Sequence, residues 1–216
     1  MPCSLVTDSS SSRELTTTST MSLPYYNEAS FSPKWYASPD VVPADFHSIP
    51  AFTLQDQTGQ TITEATFEDK IYIANFFFTA CPGICPMTMT NMKRLQSAFE
   101  EDDAILLLSH SVTPGQDNIP ALQKFAEKTQ VLHNKWHLAT GSMADIYSLG
   151  KNAYFAEEDL GNEEAAKSRE EAFLHTESFL LIDKNRRIRG IYNGMNTASV
   201  SQLIEDVARL KAEQIG

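Results

Sequence analysis

Cysteine is scarce in this chain: three residues in 216, at positions 3, 81 and 85. So few thiols decide little about redox compartment. Proline stops at Pro120, with none between 121 and 216. Long apolar runs are missing as well. Ile71 to Phe78, the strongest near the cysteine pair, falls far short of the ~20 residues a membrane helix needs. No basic cluster stands out against a net charge of −11, which argues against nucleic acid and against anionic lipid surfaces as partners. No charged n-region followed by an apolar stretch opens the sequence, so no signal peptide is expected within it; one encoded upstream stays open.

Apolar residues make up 42% of the chain and aromatics 10%, enough for a globular core, and the length suits one domain with a tail. Residues 1–45 are rich in Ser, Thr and Pro and show no helical or strand period. They are expected to form a flexible tether, with residues 46–216 as the folded domain. Cys3 sits in that polar start and reads as a stray thiol. The sharper alternative is a lipid-bearing cysteine left by removal of a signal peptide.

Phe52-Thr53-Leu54 and Thr61-Ile62 flank Gln57-Thr58-Gly59-Gln60, a hairpin signal. "KIYIANFFFT" is a β-branched and aromatic run of strand length. From Pro86 to Phe99 the residues Met89, Met92, Leu95 and Phe99 recur at helical spacing, with Pro86 suited to a first turn. "AILLLSHSV" and "KWHLATG" predict further strands, and "NIPALQKFAEKTQ" and "SMADIYSLG" predict helices. Residues 156–172 form a charged excursion, a solvated loop or surface helix. "SFLLIDKNRRIRGIYNG" reads as a hairpin, and "TASVSQLIEDVARLKAEQ" as a closing helix capped by Thr197 or Ser199. Strands alternating with helices predict an α/β sandwich with a mixed sheet and an N-terminal β-hairpin extension.

Cys81 and Cys85 therefore fall where a strand ends and a helix begins. Free N–H groups and the positive helix end favour thiolate there. A disulfide across so short a loop would stabilise little. The arrangement resembles the thioredoxin fold, but with three residues between the cysteines instead of two. No proline precedes the later hairpin, where such oxidoreductases hold substrate; His175 stands close to that position. Soft thiolate sulfur favours Cu(I) or zinc and imidazole suits copper and zinc alike, and a structural zinc would want a fourth protein ligand. Spacing alone leaves metal or redox chemistry open, and ligand softness favours copper. Among the other histidines, His47 lies in the expected tether and His133 in a polar turn, while His110 and His137 read as hydrogen-bonded packing residues. Met89 and Met92 read as core, and Met87 as exposed and the best transient contact for Cu(I).

"CPGICP", followed by "HTESFLLIDKNRRIRGIYNG", resembles the SCO/SenC family of copper-binding thioredoxin-fold proteins, over about Ile49 to the C-terminus. The resemblance implies Cys81, Cys85 and His175 as ligands of Cu(I) or Cu(II). It also implies a metallochaperone, rather than a turnover enzyme, that delivers copper to the binuclear copper site of cytochrome c oxidase or keeps that site's cysteines reduced. The implied setting is extracytoplasmic, periplasmic or membrane-tethered, with the membrane met only through an anchor. The expected partner is the copper-site subunit or another copper protein, and a monomer is expected. The chain departs from the family at "SVTPGQDNIP". Many members carry Asp-Pro-x-x-Asp-Thr-Pro there; Thr113 replaces the first acid and Asp117 keeps the second, as a helix N-cap or as a residue tuning the site. The rival reading is an extracytoplasmic thiol–disulfide oxidoreductase or peroxide-reducing enzyme, built on the same dithiol.

Overall fold

A computed structural model of the chain describes residues 22–80, 85–156 and 177–213, with Cys85 described by its backbone alone. The order is β1 (Thr53–Gln55), β2 (Thr61–Thr63), β3 (Ile71–Phe77), α1 (Cys85–Ala98), β4 (Ile105–Ser111), α2 (Ile119–Thr129), β5 (Trp136–Ala139), α3 (Met143–Ser148), β6 (Ser178–Ile182), β7 (Ile188–Asn193) and α4 (Thr197–Glu213). A π-helical turn, Leu149–Ala153, extends α3.

Five strands form one sheet in the order β5-β4-β3-β6-β7. β3, β4 and β5 are parallel, while β6 runs antiparallel to β3 and β7 antiparallel to β6. Every residue of β3 and β4 is buried, as expected for parallel strands covered on both faces. Ile71, Ile73 and Phe77 face α1, α2 and α4 through Met89, Met92, Leu95, Leu122 and Leu203. Tyr72, Ala74 and Phe76 face the opposite layer, which holds the β1–β2 hairpin, α3 and the π-helical turn. The result is the expected α/β sandwich around a mixed sheet, with the N-terminal hairpin as a separate two-stranded piece.

Local chemistry explains the turns. In the hairpin, Asp56 Oδ1 accepts from Thr58 N and Oγ1 and from Gln60 N. Gly59 there takes φ +79°, a region in which glycine carries no steric cost. Asp56 Oδ2 pairs with His137 Nδ1 at 3.0 Å, and Gln55 bridges to Thr140, so the hairpin is fastened to β5. The N-cap of α4 is Asn196, whose Oδ1 accepts from the N–H groups of Ala198 and Ser199, and not Thr197 or Ser199.

The folded part begins earlier than expected. Residues 22–45, assigned from sequence to the tether, lie against the domain. Leu23, Tyr25 and Val42 are buried, and Tyr25, Tyr36 and Phe46 pack edge to face at 5.5–5.9 Å. Tyr26 N donates to Ile188 O, which adds a single bridge to the edge strand β7. A few anchors in a polar stretch suffice, because Arg189 on β7 provides their socket. Its guanidinium lies 3.8 Å from the Tyr25 ring centroid and donates to Leu23 O, Pro24 O, Asp183 and Glu213.

His110 is the second departure. It is fully buried between Phe76, Phe52 and Tyr154, stacked on Phe76 at 5.0 Å. Neither ring nitrogen has a hydrogen-bond partner among the described residues. It packs as expected, without the expected hydrogen bond among the described residues, and burial lowers its pKa from 6.5 to about 3.

Two outcomes follow from these buried groups. Arg189→Met should lower stability by about 3 kcal/mol or more, because Asp183 and two carbonyls lose their partner; the urea unfolding midpoint at neutral pH reads this. For His110 the unfolded chain binds the extra proton between pH 6.5 and about 3. Stability is therefore fully present above pH 6.5 and lost as pH falls, by up to ~1.4 kcal/mol per pH unit. In His110→Phe the loss of unfolding free energy between pH 7 and pH 4 should shrink by roughly 3 kcal/mol, measured by urea unfolding at both pH values.

Candidate metal centre

Strand β3 and helix α1 together position the cysteine pair. β3 ends at Phe77, and α1 begins at Cys85 with Pro86 in its first turn, where the missing N–H leaves no donor unpaired. Cys85 is thus the first residue of a helix, as expected. Its side chain, Cys81 and His175 lie outside the described residues, as do Cys3 and the charged excursion from 157 onward. What the structure describes is the frame that leads into them.

That frame brings the two chain segments to one end of the sheet. Ala74 pairs with Leu180 and Tyr72 with Ile182, antiparallel. The chain therefore runs out of β3 toward Cys81 where it runs into β6, three residues after His175. A second link crosses from helix to strand. Asn91, buried in α1, donates its Nδ2 proton to Gly194 O at 2.7 Å, and Gly194 N donates to Glu177 O at 2.7 Å. Position 194 has no room for a side chain: a Cβ would stand 2.5 Å from the Phe179 ring and 2.8 Å from Glu177 O. Through one glycine, α1 is thus joined to the start of β6.

A third support lies under the turn itself. Asp117 is 1% exposed. Its carboxylate accepts from Thr79 N at 3.1 Å, Thr79 Oγ1 at 2.5 Å, Ser111 Oγ at 2.6 Å and Thr113 Oγ1 at 3.2 Å. It is not the N-cap of α2. Asn118 is, with Oδ1 accepting from Ala121 N. Asp117 instead turns back to Thr79, just beyond the end of β3 and two residues before Cys81. Sequence reasoning singled out Asp117 but missed Thr79, Asn91 and Gly194. For Thr79 the only signal was its place at the end of the strand, next to the cysteines.

The neighbouring side chains sort as expected for the methionines. Met89 and Met92 are buried in the core, and Met87 is 50% exposed on the first turn of α1. His47 bonds Ala153 O through Nε2 and lies on the Phe155 ring; His133 is exposed in its turn. A groove of about 360 Å³ opens beside the turn between α1 and α2, lined by Phe78, Thr79, Pro86, Met89 and Phe125.

Comparison with known proteins agrees with this architecture. The family described as SCO1/SenC matches residues 43–212. The SCO1 protein homolog of Bacillus subtilis is 26% identical over 162 residues, 74% of this chain and 81% of that protein. A SCO1/SenC family lipoprotein from Bacillus anthracis superposes with a TM-score of 0.65 at 29% identity, over 76% of this chain and 95% of the other. BsSco, described as a member of the Sco family of cytochrome c oxidase assembly proteins with a disulfide switch, superposes with a TM-score of 0.63 at 25% identity, over 76% and 93%.

Proposed function

Because this chain belongs to the SCO1/SenC family, we propose that it is a copper-binding assembly protein. It carries copper to the binuclear copper site of cytochrome c oxidase, or reduces the cysteines of that site. The thiolates of Cys81 and Cys85 and one ring nitrogen of His175 hold the metal as cargo. The observation that carries the reading is the antiparallel β3–β6 pairing. By it the chain leaves β3 and enters β6 at the same end of the sheet, which supports a site built from two soft thiolates and one imidazole, a donor set that suits copper.

Binding and redox state are coupled through the same two sulfurs. A Cys81–Cys85 disulfide offers no thiolate, so two electrons and two protons must be added before copper binds, and the protons leave again on binding. The start of α1 favours thiolate through its free N–H groups and positive end. When a partner's disulfide is the target instead, Cys81 and Cys85 become the disulfide and the partner gains two thiols. The groove beside Thr79 and Pro86 gives a partner chain room next to the turn.

The setting we propose is extracytoplasmic, with Cys3 as the lipid-bearing residue and the chain acting as a monomer. On this reading residues 46–216 are the copper-binding domain, with residues 22–45 packed on it; residues 1–21 of the expected tether lie outside the described residues. Among the described residues no helix is long and apolar enough to cross a membrane.

Anaerobic titration of the fully reduced protein with Cu(I), against a competing chelator, tests the reading. One tight equivalent is expected, lost in Cys81→Ser. His175→Ala should weaken Cu(II) by about tenfold or more, ~1.4 kcal/mol, and Cu(I) much less, because thiolates carry most of the Cu(I) affinity. A wild-type protein that fails to compete for Cu(I) returns the turn to disulfide chemistry. An unchanged Cu(II) spectrum in His175→Ala removes that ligand.

A further inference from the structure

We propose that Asp117 is a positioning residue for the Cys81–Cys85 turn, acting through Thr79. The inference rests on the reading above only in taking these two thiols as the working groups.

The β3–β4 ladder ends with the pair Phe77 and Ser111, and Val112 N still donates to Phe77 O. Beyond that point the strand has no ladder partner on β4, yet three more residues must reach Cys81. Thr79 is the middle one, and both of its polar donors, the backbone N–H and the hydroxyl, go to the Asp117 carboxylate. A residue bound by main chain and side chain to one rigid acceptor is fixed in position and in rotation. The direction in which the chain leaves toward Cys81 is then fixed as well.

The acceptor itself is rigid. Four donors converge on its carboxylate, Thr79 N, Ser111 Oγ and Thr113 Oγ1 on Oδ2 and Thr79 Oγ1 on Oδ1, so both oxygens are engaged. Its backbone is held too, with Asp117 N and Gln116 N both donating to Thr113 O. No Lys, Arg or His among the described residues pairs with it. The carboxylate is instead held by neutral donors, just before the start of α2. An acid needed only to start α2 would sit at the cap, where Asn118 already serves. The placement of Asp117 makes sense as a clamp on the last structured residues before the thiols.

The test uses the full reduced chain with Asp117→Ala, Thr79→Val and Thr79→Ser. Three quantities are read: the Cys81–Cys85 equilibrium against a dithiol redox buffer, the Cu(II)–thiolate absorption spectrum, and the unfolding midpoint. Asp117→Ala should shift the dithiol–disulfide equilibrium constant at least tenfold, about 30 mV for a two-electron couple, and should move the Cu(II) band. Thr79→Val loses one of the two donors and should shift both in the same direction by less. Thr79→Ser keeps both donors and should match the wild type. A role confined to stability would lower the unfolding midpoint and leave the equilibrium constant and spectrum of the folded protein unchanged; that result overturns the proposal. So does a Thr79→Ser protein that departs as far as Thr79→Val. Should Asp117→Ala fail to fold, Thr79→Val decides, and wild-type values for it overturn the proposal. The redox arm needs no copper. A wild type that binds no Cu(I) therefore overturns the copper reading while the equilibrium constants still judge Asp117.

Discussion

The antiparallel pairing of β3 with β6 is the constraint on which the rest of this molecule depends. β3 is parallel to β4 and fully buried, so it sets the direction of the sheet. Had β6 been parallel to it, the segment carrying His175 would enter the sheet at the end away from the cysteines. Register matters as much as direction. Side chains alternate with period two, so a slip of one residue would move Phe179 and Leu181 out of the core cluster they share with Ile73 and Met89. Apolar packing on both faces therefore fixes where a polar site can form. The hydrophobic side chains specify the end of the sheet, and the polar ones tune what happens there.

The polar interior shows two different uses of buried charge and hydrogen bonding. Arg189 gathers partners from several segments and Asp117 joins its own loop to a strand end 38 positions away, and each fastens a piece of irregular chain to the sheet. Arg189 holds the N-terminal stretch through Leu23 and Pro24, and Asp117 holds the strand end through Thr79. Breaking such a cluster leaves donors or acceptors stranded where water cannot reach, which is why it specifies geometry as well as adding stability. His110 is the opposite case. It is surrounded by aromatic rings with no acceptor or donor in reach among the described residues, so it serves as a flat ring and its basicity is suppressed.

Much of this was legible in the sequence, for physical reasons that can be named. β3 is a run of β-branched and aromatic residues and β4 opens on an isoleucine and three leucines, and burial on both faces leaves few alternatives for such runs. The Gly59 hairpin, Pro86 in the first turn of α1, and the Met89–Met92 stripe all carry local signals with one structural meaning. The N-terminal stretch was not legible, because its composition is that of a tether. Its order comes from a cation on β7 some 160 positions away and from three aromatic rings that meet only in space. Asn91, Gly194 and Thr79 escaped for the same reason: each acts through a contact made far along the chain. Asp117 was visible as a residue with two possible jobs, and only its partners separate the cap of a helix from the clamp of a strand.

Those partners also give a physical account of the change at Thr113. A carboxylate at that position, ionised at neutral pH, has no proton to donate and would face the Asp117 oxygens that Thr113 Oγ1 now approaches to 3.2 Å. Two like charges at that separation and this depth repel strongly. A chain with an acid there must separate the two carboxylates or hold a proton between them. Threonine removes that requirement and supplies one more donor, so Asp117 is held by neutral groups and faces Thr79. The departure is then a redistribution of the support beneath the turn: the acid at 117 carries the clamp alone, and the residue at 113 has become one of its ligands.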